Sequence, residues 1–323
     1  MDSTMMVYLG LDVAKAKIDC ALLLNGKVKS KVVTNNPEGF ETLRQWLAKQ
    51  DASRVHACCE ATGTYSEAIA LFLHERGHVV SVVNPAKIAA YAQSQLARAK
   101  TDAMDARLIA RYCEREQPAA WMPPPAEEQL LLALLSDLQD LQTMQGAESN
   151  RLGSAHADVR ARIERHLEFL DREIEQLRKK IERHIDHHDR LRGRRDLLNS
   201  VPGLGEHTIP WLIAYLGDGK RFPVSKRAVA YFGLCPKPHQ SGSSVRGKAR
   251  IAKSGHADMR RALYMPAVVA YSRCQAFAPF VHRLKAAGKP PKLIIVALMR
   301  KLVTIAQAIL KSGKPFDPSM HCA

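Results

Sequence analysis

The chain has 323 residues, of which 25% are charged, and a formal net charge of +16 at pH 7. A chain of this length can bury at least two hydrophobic cores, so we expect two or more domains. The seven cysteines form no C-x-x-C pair, which argues against a zinc ribbon or a disulfide framework and favours a reduced, cytosolic protein. The start of the chain has no signal-peptide pattern, and the longest apolar run, residues 293–299, is too short to cross a membrane. We therefore expect a soluble protein with no membrane partner.

The excess positive charge lies entirely in the last third of the chain. Residues 1–200 contain 28 Lys and Arg against 28 Asp and Glu, whereas residues 201–323 contain 20 against 4. A neutral part joined to a strongly basic part indicates a polyanionic partner for the basic part.

The first apolar stretch, from Met6 to Leu24, predicts strands in the middle of a sheet. It carries Asp12 at the point where the hydrophobic run gives way to Ala-Lys. A buried carboxylate is costly unless something positive lies opposite it, which points to a metal ion. An Asp that closes a turn is the alternative, and this segment alone does not decide between them. Asn25-Gly26 then predicts a β-hairpin.

Helices and strands follow in alternation: a helix from Asn36-Pro37, a strand over 55–60, a helix over 65–76, a strand over 78–83 and a helix from Lys100. This order, βββ-α-β-α-β-α, predicts a mixed sheet with helices on its faces. Glu60 ends its strand, at the edge where active sites of open α/β sheets collect. An exposed Glu at a strand end is the simpler alternative.

Asp102 and Asp105 lie three residues apart in the first turn of the predicted helix, on the face that continues to Ile109 and Tyr112. Acids in a first turn also interact favourably with the helix dipole, but that explains one Asp more easily than two. With Asp12 and Glu60 they form a set of four acids on separate elements. Carboxylates are hard ligands suited to Mg²⁺ or Mn²⁺, and paired ions stabilise both the attacking and the leaving oxygen of a phosphodiester.

The α/β pattern ends at Trp121-Met-Pro-Pro-Pro, and two long helices with a coiled-coil seam follow. The seam is carried by Leu131, Leu134, Leu138 and Leu141, then by Ile163, Leu167, Leu170, Ile174, Leu177 and Ile181. It can pair within one chain or between chains, although its length favours self-association. Three histidines near 184–188 form a polar helix end more readily than a metal site.

The last third begins with Val-Pro-Gly-Leu-Gly before an apolar helix over 207–216. Pro-Gly-x-Gly between two helices resembles a helix-hairpin-helix element, in which Gly203 and Gly205 let backbone N–H groups approach a phosphate. A tight turn between helices is the plain alternative.

Residues 236–267 predict a mobile, basic loop rich in Gly and Ser. The cations proposed to bind phosphates are Arg246, Lys248, Arg250, Lys253, Arg260 and Arg261. Serines at 241, 243, 244 and 254 lie among these cations, a setting in which a hydroxyl can attack phosphorus. The residues alone select no particular serine, and a phosphate-binding loop without a covalent role is an equal alternative.

Taken together, these stretches resemble the DEDD insertion-sequence transposases related to the Piv DNA invertases, also described as bridge-RNA-guided recombinases. The matching segments span nearly the whole chain in family order. They are GLDVAKAKID (10–19), EATGTY (60–65), NP (84–85), KTDAMDARLIA (100–110), VPGLGEHT (201–208) and SGSSVRGKARIAKSGHADMRRALYMPA (241–267).

The resemblance implies an α/β RNase H-like (RuvC-like) domain over residues 1–122 and a helical coiled-coil insertion over 123–196. A mainly α-helical transposase domain with a helix-hairpin-helix element is implied for 197–323. It further implies that Asp12, Glu60, Asp102 and Asp105 bind metal, and that Ser241 forms a covalent phosphoserine link to DNA. The implied partners are donor and target DNA, a structured guide RNA, and copies of the chain in a homodimer or homotetramer.

We therefore expect a Mg²⁺-dependent transposase that cuts and rejoins DNA under the guidance of an RNA, in the cytoplasm and on the nucleoid when bound to DNA. The alternative is a metal-dependent nuclease of the junction-resolvase type, in which water attacks and the serine loop only binds. A non-catalytic regulator is disfavoured, because carboxylates without metal weaken the binding of a polyanion. An actin-like sugar kinase would need a second Gly-rich phosphate loop that the α/β part lacks.

Overall fold

The computed structural model describes residues 7–61, 63–95, 102–241, 245–252 and 254–321, and gives the backbone alone at 64, 102–104, 238–241, 245–250 and 321. The chain divides into two compact units, residues 1–123 and 124–323. The two long helices and the basic last third share the second unit. The predicted division into three parts, with boundaries after 122 and 196, stays a prediction.

The first unit contains a five-stranded mixed sheet with the strand order β3-β2-β1-β4-β5. Strands β1, β2 and β3 pair antiparallel, whereas β1, β4 and β5 pair parallel. The predicted mixed sheet with helices is thus confirmed. Its elements are β1 (Val7–Val13), β2 (Lys17–Leu24), β3 (Lys27–Thr34), α1 (Pro37–Ala48), β4 (Val55–Glu60), α2 (Glu67–Glu75), β5 (Val79–Val83), α3 (Pro85–Ser94) and α4 (Asp102–Glu116).

Local sequence signals explain most of these boundaries. Asn25 and Gly26 adopt φ of 50° and 75°, as the predicted two-residue hairpin turn requires. Asn36 caps α1, since its side chain accepts a hydrogen bond from the backbone N–H of Gly39. Helix α3 was missed by the sequence analysis, because Ile88 is the one buried residue on it and its apolar periodicity is weak.

The sheet lies between two helical layers. Helices α1 and α2 cover one face, where Leu9, Leu11, Ala57 and Cys59 share a core with Leu43 and Leu73. Helix α4 covers the other face, where its Ala106, Ile109, Ala110 and Cys113 pack against residues of β2, β4 and β5. Successive residues of a strand point to opposite faces, so the even-numbered positions of β1 and β4 face α4.

The described part of the second unit is helical apart from one two-stranded ribbon. Helices α5 and α6 form an antiparallel hairpin, and the buried positions of α6 include Ile163, Leu170, Ile174, Leu177 and Ile181 within a single chain. Coiled-coil geometry and pairing between chains stay predictions. The elements are α5 (Ala126–Gly153), α6 (Ala157–His187), α7 (Asp189–Asn199), α8 (Ile209–Leu216), α9 (Ser225–Tyr231), β6 (Pro236–Ser241), β7 (Val245–Ile251), α10 (Ala257–Ser272), α11 (Ala278–Ala286), α12 (Pro291–Ser312) and α13 (Pro318–His321).

Helix α12 forms the centre of the second unit's core, with Leu298, Leu302 and Ile309 fully buried. By length and composition alone it could cross a membrane, with a mean hydropathy of 2.0, but 61% of that window is buried inside the unit. We therefore interpret α12 as a core helix.

The basic segment 236–267 differs from the predicted mobile loop. Strands β6 and β7 pair antiparallel from Pro236 opposite Ile251 to Ser241 opposite Val245, with a bulge between Lys237 and His239. Helix α10 then begins at Ala257. Backbone pairing organises this stretch despite its glycines and serines, and Gly247 lies within β7, opposite His239.

Candidate active site

Asp12 and Glu60 lie at the carboxyl ends of two adjacent parallel strands. Leu11 on β1 lies opposite Cys59 on β4, so the two acids follow at the same level. Both are half-buried, and both occupy positions that face α4. The structure therefore brings these two predicted metal ligands together at the carboxyl edge of the sheet.

Helix α4 is held against this face by backbone contact. A Cβ at Gly10 would lie 2.1 Å from the carbonyl oxygen of Ala106 and 2.4 Å from the nitrogen of Ala110, so only glycine fits there. At the start of β1, the side chain of Gln117 donates a hydrogen bond to the Tyr8 hydroxyl at 2.6 Å. Helix α4 therefore runs antiparallel to β1 and begins at the end of the sheet that carries Asp12.

The first turn of α4 brings the remaining predicted acids to the same end. Asp105 is half-buried and directly precedes Ala106, which contacts Gly10. Position 102 stands one helical turn before Ala106; its side chain lies outside the described residues. Among the described side chains, no group of three or more His, Cys, Asp or Glu is close enough to hold a metal. The four-acid metal site therefore stays a prediction.

A fifth acid on this face, Asp19, was missed by the sequence analysis. It pairs directly opposite Asp12 in the β1–β2 register. Its side chain is 10% exposed, and a carboxylate oxygen lies 3.0 Å from Nζ of Lys17. The hairpin alternation could have placed Asp19 beside Asp12, since residues opposite each other in an antiparallel pair point to the same face.

The cysteines near the acids are unsuited to act as nucleophiles or as thiolate ligands. Burial, reinforced by the charges of Cys58 and Glu60, raises the pKa of the Cys59 thiol to about 12. A hydrogen bond with Cys113, together with burial, raises the pKa of Cys58 as well. Without a metal these thiols stay protonated at neutral pH, and the carboxylates are the hard oxygen donors at this edge of the sheet.

Ser241 ends β6 near the tip of the ribbon, in the second unit. Its side chain, like those of Arg246, Lys248 and Arg250, lies outside the described part, and Lys253 is outside it altogether. One extra residue of β7 lies between positions 247 and 250, so the two-residue alternation is interrupted there and positions 246 and 250 do not share a face of the ribbon. Their roles in binding phosphate and the role of Ser241 stay predictions.

The base of the ribbon is tied to the helical body. The backbone N–H of Ala252 donates to the carbonyl of Cys235 at 2.8 Å. Gly255 has φ of +127°, and a Cβ there would lie 2.2 Å from the Tyr231 carbonyl oxygen. Nη1 of Arg260 donates to the carbonyls of Phe232 and Gly255, each at 3.1 Å. These contacts give Arg260 a structural function in addition to the phosphate binding predicted for it.

The other two predicted elements of the basic part lie nearby. Arg261 is exposed and pairs with Asp258 at 3.9 Å. Gly203 has φ of +89° in the turn between α7 and α8, and a Cβ there would lie 3.5 Å from the Pro266 carbonyl of α10. Gly205 has open space around it. The turn thus leaves room for a ligand at Gly205, and its helix-hairpin-helix function stays a prediction.

Comparisons with known proteins assign the family. The chain matches the model DEDD_Tnp_IS110, described as "Transposase", over residues 9–156, and the model "Transposase IS116/IS110/IS902 family" over residues 195–282. It is 38% identical to the pilin gene-inverting protein of Moraxella bovis, over 97% of this chain and 98% of that protein. The corresponding protein of Moraxella lacunata is 37% identical over the same shares.

Among solved structures, the chain is similar to RuvC of T. thermophilus in complex with a Holliday junction substrate. That likeness covers 36% of this chain and 98% of that chain, at 13% identity and a TM-score of 0.28. So low a score carries no argument about fold, and the assignment depends on the family matches. The resemblance found in the sequence is confirmed: the chain belongs to the IS110-type DEDD transposase family, and it is an enzyme that acts on DNA in recombination.

Proposed function

We propose that this transposase cuts and rejoins DNA with a divalent metal, Mg²⁺ or Mn²⁺, and with Ser241 as the nucleophile. The observation that supports the acidic centre most strongly is the convergence of β1, β4 and the start of α4. These three segments are far apart along the chain, yet they bring Asp12, Glu60 and Asp105 to one end of one face.

We also propose that the first unit has the RNase H-like fold. The strand order β3-β2-β1-β4-β5, with three antiparallel strands followed by two parallel ones, supports this assignment. In such a sheet the acids at the ends of β1 and β4 lie where active sites of open α/β sheets collect.

The metal would be held by carboxylates of Asp12, Glu60, Asp102 and Asp105. The donor set fits a hard cation, because these acids supply only oxygen and the buried thiols nearby remain protonated. When bound, such an ion polarises a phosphodiester and stabilises the charge on its oxygens. Without a cation, neighbouring carboxylates repel one another, so the site favours occupancy by a cation.

The proposed covalent step involves Ser241. Its Oγ attacks the scissile phosphorus in line, the P–O3′ bond breaks, and the departing oxygen takes up a proton as a free 3′-hydroxyl. The serine proton is lost to solvent, and a 5′-phosphoserine link remains. A 3′-hydroxyl of the exchanged strand later attacks the same phosphorus, forms the new P–O3′ bond and releases the serine.

Cations of the ribbon and of α10 would hold the DNA. Positions 246, 248 and 250 all lie on β7, which suits a phosphate backbone that passes along the ribbon. Lys253, Arg261 and the Gly203–Gly205 turn would add further phosphate contacts.

The acidic centre and Ser241 belong to different compact units. The proposed chemistry therefore requires them to meet at one phosphodiester, and a homodimer or homotetramer would allow the two centres to come from different copies.

We further propose a structured guide RNA that pairs with donor and target DNA, supported by the basic excess of the last third. Ribonuclease-sensitive nucleic acid that copurifies with the native protein would test this part. The protein would act in the cytoplasm, on the nucleoid when bound to DNA, because its proposed substrate lies there.

The deciding experiment is the capture of a covalent protein–DNA adduct. Wild-type protein with labelled element-end DNA and Mg²⁺ should give a protease-sensitive adduct that survives denaturation, and Ser241→Ala should give none. Ser254→Ala is the matched control, since Ser254 is an exposed serine beyond the ribbon. An adduct with Ser241→Ala would refute the assignment. Cleavage without any adduct would favour the nuclease alternative, in which water attacks.

A further inference from the structure

A long stretch of the second unit carries positive charge without any acid. Residues 259–316 contain no Asp or Glu. Their eleven cations are Arg260, Arg261, Arg273, Arg283, Lys285, Lys289, Lys292, Arg300, Lys301, Lys311 and Lys314. Like charges concentrated on one part of a fold repel one another, and a polyanion relieves that repulsion.

Aromatic rings hold three of these cations in place. The guanidinium of Arg283 lies 5.4 Å from the ring centroid of Phe280, and Nζ of Lys301 lies 5.0 Å from the same centroid. Nζ of Lys285 lies 4.6 Å from the ring centroid of Tyr271. We call these five residues the α11–α12 cationic surface.

The charges of this surface are not compensated within the part of the chain that the structure describes. Arg283, Lys285 and Lys301 form no ion pair with any described residue, in contrast to Arg151 and Lys179, which pair with Glu148 and Glu175. A ring orients a cation but carries no net charge, so the positive field reaches solvent. Arg283 and Lys285 are exposed, and Lys301 is half-buried.

The surface is distinct from the serine ribbon. Helix α10 spans Ala257–Ser272, with the base of the ribbon at its start and Tyr271 at its end. At about 1.5 Å per residue, the two sites are separated by roughly 20 Å along this helix. A duplex bound at the ribbon could therefore reach this surface within one helical turn of DNA.

We propose that the α11–α12 cationic surface binds the phosphate backbone of duplex DNA, as a second contact outside the serine ribbon. The proposal rests on the proposed function, in which DNA is cut at the ribbon. Phe280 and Tyr271 are half-buried and already contact cations, so the surface offers phosphate binding rather than the free aromatic faces that stack unpaired bases. Contacts of this kind are independent of sequence and depend on salt.

Salt-dependent binding tests the proposal. The affinity of the full-length protein for a 30-base-pair duplex of random sequence is measured by fluorescence anisotropy across a series of NaCl concentrations. In the double variant Arg283→Gln, Lys301→Gln, the slope of log K against log [NaCl] should become shallower by about 1.8, because each lost phosphate contact contributes about 0.9. The control Arg151→Gln, Lys179→Gln removes two cations that are already paired, so it should keep the wild-type slope.

Three results would overturn the proposal. One is a wild-type slope in the double variant, and another is an equal loss in the control pair. The third is a loss confined to an RNA hairpin of matched length, which would assign the surface to RNA. In the single variant Lys285→Gln, at the Tyr271 ring, the slope should become shallower by about 0.9, which is half the change in the double variant. This second variant keeps the test valid if the double variant misfolds. Binding is measured without cleavage, so failure of the Ser241 chemistry would leave this result intact and distinguishable.

Discussion

Arg260 donates a hydrogen bond from Nη1 to the carbonyl of Gly255 at 3.1 Å, and the same nitrogen donates to the carbonyl of Phe232 at 3.1 Å. Phe232 precedes the ribbon and Gly255 follows it. One guanidinium thus joins the chain segments that lie before and after the ribbon carrying Ser241. Hydrogen bonds from a charged donor are stronger than neutral ones, so this contact fixes the direction in which the ribbon leaves the body.

Replacement of Arg260 should therefore impair Ser241 more than it impairs DNA binding. In Arg260→Gln we expect the base of the ribbon to lose about 2 kcal/mol of local stability, visible as faster amide hydrogen exchange over 236–252. Formation of the covalent adduct should fall more than tenfold, whereas affinity for DNA should change by less than about threefold. Arg261→Gln, one residue away and exposed, should leave hydrogen exchange unchanged. A loss of affinity in Arg260→Gln as large as the loss of adduct would show that phosphate binding, and not the contact with the ribbon, is the main function of Arg260.

The contact between Gly10 and α4 gives a second prediction. A methyl group at position 10 would overlap the Ala106 carbonyl and the Ala110 nitrogen, both backbone atoms that cannot rotate away. Gly10→Ala should destabilise the first unit by about 3 kcal/mol and abolish cleavage, because α4 must shift and carries Asp105 with it. Gly146→Ala in α5, where a Cβ has no atom within 4 Å, should stabilise the protein by up to about 1 kcal/mol. Thermal unfolding measures both, and a Gly10→Ala protein with wild-type stability would contradict the contact.

The sequence predicted the strand and the sheet edge that carry Glu60, because this acid ends an apolar run. Glu60 closes the strand Val55–Glu60, which the structure reproduces with the same limits. Asp12 and Glu60 then come together through one parallel register. Asp19 was missed because its proximity to Asp12 depends on which residues pair across the β1–β2 turn, and a shift of one residue would have turned Asp19 to the opposite face.

The basic segment could not be predicted equally well. Its glycines and serines indicated a loop, whereas strand pairing between 236–241 and 245–251 makes a ribbon. Backbone pairing depends on partners that composition does not reveal. The structural contact of Arg260 was hidden for the same reason, since its partners are carbonyls of Phe232 and Gly255, whose side chains carry no polar signal.

A buried histidine in the first unit predicts a pH dependence of stability. His56 is 4% exposed, and burial lowers its pKa below the ordinary value. The hydroxyl of Ser81 donates to the carbonyl of Pro118 or Ala119, so the Ser81 oxygen is left to accept from Nε2 of a neutral His56 at 2.8 Å. Protonation of the folded state is therefore disfavoured relative to the unfolded state.

The sign of the effect follows from proton binding. Below about pH 6.5 the unfolded chain binds a proton at His56, whereas the folded unit keeps His56 neutral. The contribution of neutral His56 to the free energy of unfolding is therefore present above pH 6.5 and is lost as the pH falls. We expect the melting temperature of the wild type to decrease as the pH is lowered from 7.5 to 5.5. In His56→Gln the melting temperature should depend less steeply on pH, whatever the absolute stability of this variant. Equal slopes in the two proteins would show that His56 does not carry the effect.

Asp12 and Glu60 are proposed metal ligands whereas Asp19 is not, and this difference predicts different losses of cleavage. Asp19 forms an ion pair with Lys17 at 3.0 Å, and Asp12 and Glu60 lie at the carboxyl ends of their strands, where the proposed metal would bind. Asp12→Asn and Glu60→Gln should each lower Mg²⁺-dependent cleavage by a factor on the order of 10³ or more, while affinity for DNA in EDTA stays near that of the wild type.

Asp19→Asn, a change of the same size on the same face, should lower cleavage by less than about tenfold and keep the wild-type dependence on Mg²⁺ concentration. Cleavage assays across a Mg²⁺ titration measure these effects. If Asp19→Asn were as inactive as Asp12→Asn, Asp19 would belong among the metal ligands, because loss of a required ligand removes activity even when that carboxylate also forms an ion pair.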